Sequence, residues 1–171
     1  VSPYSKMEFA YKQPKHQDWF DVKVGNVRLN DVDIPGYFST KELRVGGLWI
    51  NDVLLQNLKN RKIPVEPHIV PMIYEGLQKA PVRFKIDTAS VANFSVVYEE
   101  LPVKGDKPGK LYFTDMNGQF SGLTNIVSYS EQFIRLHADG NLMGSGHFTA
   151  TWQLPVDSLY DRFLLDARLD S

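Results

Sequence analysis

Apolar and polar residues alternate along this chain in short bursts, and the bursts are interrupted at regular places. Phe20, Val22 and Val24 alternate, Gly25-Asn26 intervenes, Val27 and Leu29 resume the pattern, and Asn30-Asp31 precedes Val32 and Ile34. Leu43 and Val45 come before Gly46-Gly47, then Leu48 and Ile50, then Asn51-Asp52, then Val53 and Leu55. A period of two is the mark of a strand with one apolar face. A polar pair that breaks and restarts the alternation predicts a bulge or bend. Three stretches share one template of apolar, any, Asn or Asp, apolar: Leu29 to Val32, Ile50 to Val53 and Val91 to Phe94. The template fits a strand-bend-strand unit used repeatedly, and it also fits any set of amphipathic strands.

The stretch Val82 to Phe120 is the centre of the pattern. Phe84, Ile86, Val91, Phe94, Val96 and Tyr98 lead to a turn at Lys104 to Gly109, and Leu111, Phe113, Met116 and Phe120 return from it. Asn57 to Lys62 reads as a solvated strand end or loop, and Ser121 to Ser130 as a loop. Phe133 to Ala138 predicts a strand followed by a turn or bulge at Asp139-Gly140-Asn141. Leu142 to Leu154 alternates strictly and predicts one long strand stopped by Pro155, and Phe163 to Leu169 predicts a last one. The rhythm fails between Pro64 and Pro81, where Ile69, Ile73 and Leu77 recur at spacing four and Pro71 suits a first helical turn. One short helix is expected near residues 69–80. Residues 1–19 form an irregular N-terminal arm, helical or loose. Residues 20–171 form a single antiparallel β domain with a helical insert at about 68–80. The expected fold is mainly β: an elongated, twisted antiparallel meander shaped as a groove or open half-barrel.

Composition narrows the chemistry. The 171 residues carry a net charge of −1 with no basic stripe, which removes the electrostatic signature of nucleic-acid binding. There are no cysteines, so disulfides, thiolate zinc sites and cysteine catalysis are excluded. The four histidines show no metal-ligand spacing. Gly144-Ser145-Gly146 lacks the glycine two residues before the serine that a nucleophile elbow requires. Glu99 and Glu100 are neighbours on a strand and point to opposite faces, so they cannot share one substrate bond. No catalytic residue, metal ligand or cofactor is expected. No apolar run approaches the length of a membrane span, and the ends of the chain suggest a piece of a longer protein.

From Ile86 to Phe120 the sequence resembles the AsmA-like family, related to TamB and to the bridge-like lipid-transfer proteins, in its Bacteroidetes-type members. The likeness rests on Ile86-Asp87, Val91, Asn93, Val96, Tyr98, Glu99, the turn at Lys104 to Gly109 and Leu111-Tyr112-Phe113. The Leu48 to Val53 stretch before it, and Leu136, Ala138, Gly140, Gly146 and Phe148 after it, follow in the order expected of that family. The resemblance implies a non-enzymatic periplasmic segment, anchored to the inner membrane by a part outside this chain. It implies an apolar groove that binds phospholipid or another acyl-chain lipid on its way to the outer membrane, with envelope proteins as further partners. The groove lining it implies is Phe84, Ile86, Val96, Tyr98, Leu111, Phe113, Phe120, Leu136, Phe148 and Trp152. A structural domain, or a β-sandwich that binds carbohydrate or protein, is the competing reading, with Trp49 or Trp152 as an aromatic platform.

Overall fold

The computed structural model describes residues 4–64, 73–127, 133–156 and 163–170. Seven strands form one sheet in chain order: β1 (Trp19–Val32), β2 (Glu42–Asn60), β3 (Arg83–Leu101), β4 (Gly109–Thr124), β5 (Phe133–Leu142), β6 (Gly146–Pro155) and β7 (Leu164–Asp170). Three short helices accompany it: α1 (Lys6–Lys12), α2 (Ile34–Thr40) and α3 (Ile73–Gln78). The fold is thus mainly β, an open sheet not closed into a barrel. One neighbour relation departs from a pure antiparallel meander: β2 and β3 run parallel, from Glu42 opposite Arg83 to Asn60 opposite Leu101. Residues 61–82 carry the chain from the end of β2 back to its start, as a parallel pair requires.

The interruptions in the alternation are bends in the sheet. Asp31, Asp52 and Asn93, the third residue of each template, all have positive φ (50°, 57° and 52°), and Asp115 on β4 joins them at 53°. Asn and Asp tolerate this left-handed conformation better than other side chains. Each such residue lets the strand restart its alternation. Ile50 and Val53, Val91 and Phe94, and Phe113 and Met116 are three apart, yet all line one face. On β1 and β2 the extra residues are level, so Val24 pairs with Val53 and Asn26 with Asn51 without slippage. On β4 the bend is staggered, and β5 has none. The register therefore shifts between Val91 and Phe94, between Phe94 and Val96, and between Thr114 and Asn117. A second line of bends crosses the same strands at Asp31, Gly46, Asp87 and Gly122, the last with φ 68°. Beyond it Leu123 packs in the same cluster as Phe120.

Two small cores fasten α1 and α3. Ala10 of α1 packs with Leu58, Leu101 and the half-buried Trp19. Asn60 ties the helix down by donating Nδ2 to the Ala10 carbonyl at 2.8 Å, and Lys6 pairs with Glu99. Ser5 and Glu8 form a reciprocal capping box at the start of α1. At the opposite end of the sheet, Leu77 of α3 packs on Ile134, Leu154 and Val156 together with Phe120, Leu123 and Trp152. Asn125 is the clamp there. Its Nδ2 donates to the carbonyls of Leu77 (3.2 Å) and Val82 (2.9 Å), and its Oδ1 accepts from the Phe84 N–H (2.8 Å).

Several local expectations are corrected. Asn57 to Asn60 is strand, with Asn57, Leu58 and Asn60 buried rather than solvated, because α1 packs there. Ser121 to Thr124 continues β4, paired with β3 up to Lys85. Asp139 to Asn141 lies inside β5, and the long strand from Leu142 is two strands joined by a turn at Met143 to Ser145. Ile34 and Pro35 open α2, capped by Asp33 Oδ1 accepting from the Gly36 N–H at 2.8 Å. Trp19 already belongs to β1, so the arm ends one residue earlier and contains α1. The short helix is seen as Ile73–Gln78; Ile69, Pro71 and Met72 lie outside the described residues.

Candidate functional site

One face of the sheet holds a hollow of about 620 Å3, within the roughly 300–1,000 Å3 typical of ligand pockets. Every strand contributes to its wall, from Val24 on β1 to Leu165 and Ala167 on β7. In a flat sheet six strand spacings would set β1 and β7 about 29 Å apart, so their shared hollow means that the sheet curls around it. Apart from Asn117 the lining residues are apolar or glycine: Ile50, Val53, Val91, Phe94, Val96, Phe113, Met116, Gly118, Phe120, Leu136, Ala138, Phe148, Ala150 and Trp152 complete it. No second sheet exists among the described residues to cover this face. At one end the wall residues Phe120 and Trp152 pack on the Ile134, Leu154 and Val156 cluster, on which Leu77 of α3 also packs.

Gly140 shapes the wall. A Cβ there would lie 2.5 Å from Met116 Cγ and 3.0 Å from the Phe148 ring. Its bare backbone lets those side chains lie over β5, and Phe113 and Phe148 meet edge to face above it with ring centres 5.7 Å apart. The bend line beside the hollow is held by side chains. Asn93 Nδ2 donates to Asp52 Oδ1 at 2.6 Å, Asn117 Nδ2 to the Asp115 carbonyl at 3.2 Å, and Asn141 Nδ2 to Asp115 Oδ2 at 3.2 Å.

Six of the ten residues expected to line a groove do so: Val96, Phe113, Phe120, Leu136, Phe148 and Trp152. Tyr98 and Leu111 pair with each other two residues beyond Val96 and Phe113, past the lip. Leu111 is exposed there. Tyr98 donates its hydroxyl to Glu100 Oε2 at 2.6 Å. Burial first, and then the hydrogen bond to Glu100 and its charge, push the Tyr98 phenol up to about 12. Phe84 and Ile86 do not reach the hollow. They sit half-buried at the foot of β3, where Ile86 pairs with Leu123 and the Phe84 carbonyl accepts from the Thr124 hydroxyl at 2.7 Å. The small residues Gly118, Ala138, Ala150 and Ala167 were not expected in the lining, since only register brings them together.

The chain matches no protein-family model. No curated protein matches it in sequence either.

The outer face carries a different hollow, of about 600 Å3, with Trp49, Ser90, Gln119, His137 and Thr151 around it. These residues pair in sequence across β2 to β6, one place along from the groove wall. The Trp49 ring lies over Gly47, where a Cβ would come within 2.1 Å of it. Among the described residues no group of three His, Asp or Glu side chains is placed to hold a metal ion, and no helix is long and apolar enough to cross a membrane. Glu99 and Glu100 diverge as their adjacency demands, Glu99 toward Lys6 and Glu100 toward Tyr98.

Proposed function

We propose that this chain is a non-enzymatic lipid-handling segment: an apolar β-groove that holds acyl chains. The observation that carries the reading is the curled single sheet, whose concave face is lined by apolar side chains from all seven strands and lies without a second sheet among the described residues. A protein core of this composition would normally be covered. A surface hollow so lined favours a ligand that brings methylenes and no polar groups. The driving force is the burial of apolar area at about 25 cal/mol per Å2. The resemblance to AsmA-like proteins adds the setting: a periplasmic segment of an inner-membrane-anchored envelope protein, passing phospholipid toward the outer membrane with envelope partners.

The test is direct. The purified chain is extracted with organic solvent and the extract examined by mass spectrometry for phospholipid. Delipidated chain is then titrated with a fluorescent fatty acid while energy transfer from its three tryptophans is followed. Co-purified phospholipid and saturable uptake are expected. Protein that carries no lipid and takes up no fatty acid refutes the proposal. The outer hollow favours one second reading, saccharide binding, because Trp49 offers a ring and Ser90, Gln119 and Thr151 offer hydrogen bonds. A glycan array on Trp49→Ala and the parent chain separates the two.

A further inference from the structure

The register of the sheet sets small residues side by side across the floor of the groove. Gly118 on β4 pairs with Ala138 on β5, Ala138 with Ala150 on β6, and Ala150 with Ala167 on β7. All four line the hollow. The next level on one side is Phe120, Leu136, Trp152 and Leu165, paired in the same way. Met116, Phe113 and Phe148 form the other bank, with Gly140 letting them lie close to the sheet. A trough with a small-residue floor and bulky banks therefore crosses four strands, a distance of about 14 Å over three strand spacings. Toward β3 and β2 it meets the larger Val91 and Ile50. At its other end lies β7, the exposed edge strand.

Building on the lipid-groove reading, we infer that this trough holds one unbranched alkyl chain lying across β4 to β7, with its polar end out over the β7 edge. Width and polarity choose this occupant. Successive levels on one face lie about 6.7 Å apart, so the banks stand about 13 Å apart between backbones, before Phe120, Trp152 and Phe148 take their share. A helix about 10–12 Å across does not fit what remains. An extended peptide would fit, but it brings an N–H and a C=O at nearly every residue. The floor and banks offer those groups almost no side-chain partners: the Trp152 indole N–H, and Asn117, whose amide already donates to the Asp115 carbonyl. Buried backbone polar groups without partners are strongly disfavoured. A methylene chain brings none. Gly118, Ala138, Ala150 and Ala167 become specificity-determining residues, because any larger side chain there occupies the place of the ligand.

The experiment uses the whole chain with methyl-labelled alanine and stearic acid carrying a nitroxide near either its methyl or its carboxyl end. The label near the methyl end should broaden Ala138 more than Ala167, and the label near the carboxyl end Ala167 more than Ala138. Ala10, packed with Leu58 and Leu101 at the far end of the sheet, should be spared. Ala150→Leu should weaken stearic acid binding at least about tenfold, equivalent to about 1.4 kcal/mol. Thr151→Leu, on the outer face, should bind as the parent does. Equal bleaching of Ala10 and Ala150, or unchanged binding by Ala150→Leu, overturns the trough while leaving the lipid reading in place. A parent chain that takes up no fatty acid overturns the lipid reading itself, and the trough with it.

Discussion

Replacing Asn93 tests whether the bends are set by backbone conformation or only by side-chain contacts. Asn93 sits at φ 52° in the middle of β3, exposed, with its amide 2.6 Å from Asp52 Oδ1. Asn93→Gly removes that hydrogen bond but relaxes the backbone, so it should cost about 1 kcal/mol or less. Asn93→Val removes the same bond and also forces a β-branched residue into the left-handed region, which adds about 1–2 kcal/mol. The expected loss for valine is thus about 2–3 kcal/mol, or very roughly 4–12 °C in melting temperature for a chain of this size. Valine has the higher strand propensity, so a strand without a bend would rank the two variants the other way. Urea denaturation of the parent and both variants gives the comparison. If valine is as stable as glycine, or more so, the bend is not a backbone requirement and the account of the alternation resets is wrong.

Three further outcomes follow from the packing. Leu58→Ala empties a site that is 1% exposed beneath α1 and should cost about 2–5 kcal/mol in urea unfolding; a loss below about 0.5 kcal/mol would mean that α1 does not cover it. Asn125→Ala leaves the Leu77 and Val82 carbonyls and the Phe84 N–H without their clamp. It should cost about 1–3 kcal/mol and speed proteolytic cleavage around α3, and an unchanged cleavage pattern would count against the clamp. The Tyr98 phenol is held up at about 12 by burial and Glu100, above its ordinary value of about 10. A raised folded pKa means that its stabilising contribution is fully present below about 10 and is lost as the pH climbs through about 12. Ultraviolet titration should show a late tyrosine step that Tyr98→Phe abolishes; a step that survives the substitution belongs to another tyrosine.

The strands of β1 to β4 were legible because their apolar pairs recur between Asn, Asp and Gly, and the template residue in each case is the one that turns left-handed. The hairpin between β5 and β6 was hidden for a physical reason. A three-residue turn sets Leu142 opposite Gly146, so the even-numbered alternation runs through the turn unbroken. Only Met143 and Gly144, at φ 54° and 81°, mark it. The parallel pairing of β2 and β3 was equally invisible in the strands, which read alike in either direction. The signal lay in the long connection after Asn60, since only a parallel partner needs a crossover of that length. Ser5 with Glu8 three residues on, and Asp33 ahead of Pro35, were cap signatures for α1 and α2 that short helices make easy to pass over. Bulky wall residues could be read from sequence. Phe84 and Ile86 could not be separated from them, because a second bend line between Ile86 and Ala89 sets them apart from the hollow.

The bends also explain why a groove can be continuous over strands of this length. Without an extra residue, alternation keeps one parity on one face, and a slip of one residue sends every side chain to the other. Val91 and Phe94 would then face opposite sides, as would Ile50 and Val53. The chain resolves this by placing a left-handed Asp or Asn between them on adjacent strands, so both members of each pair reach the hollow. Such a bend increases local twist and curvature, and curvature is what brings β1 and β7 to a common cavity. β5 and β6 keep one parity from end to end, and they contribute two of the floor alanines, Ala138 and Ala150, as well as wall residues. The groove is therefore built from two kinds of strand. Bent strands supply curvature and most of the bulk, and straight strands with small side chains supply much of the depth. A change that straightens β2 or β3 should close the hollow by turning its wall outward, whereas a change that fattens β5 or β6 should fill it while leaving the sheet intact.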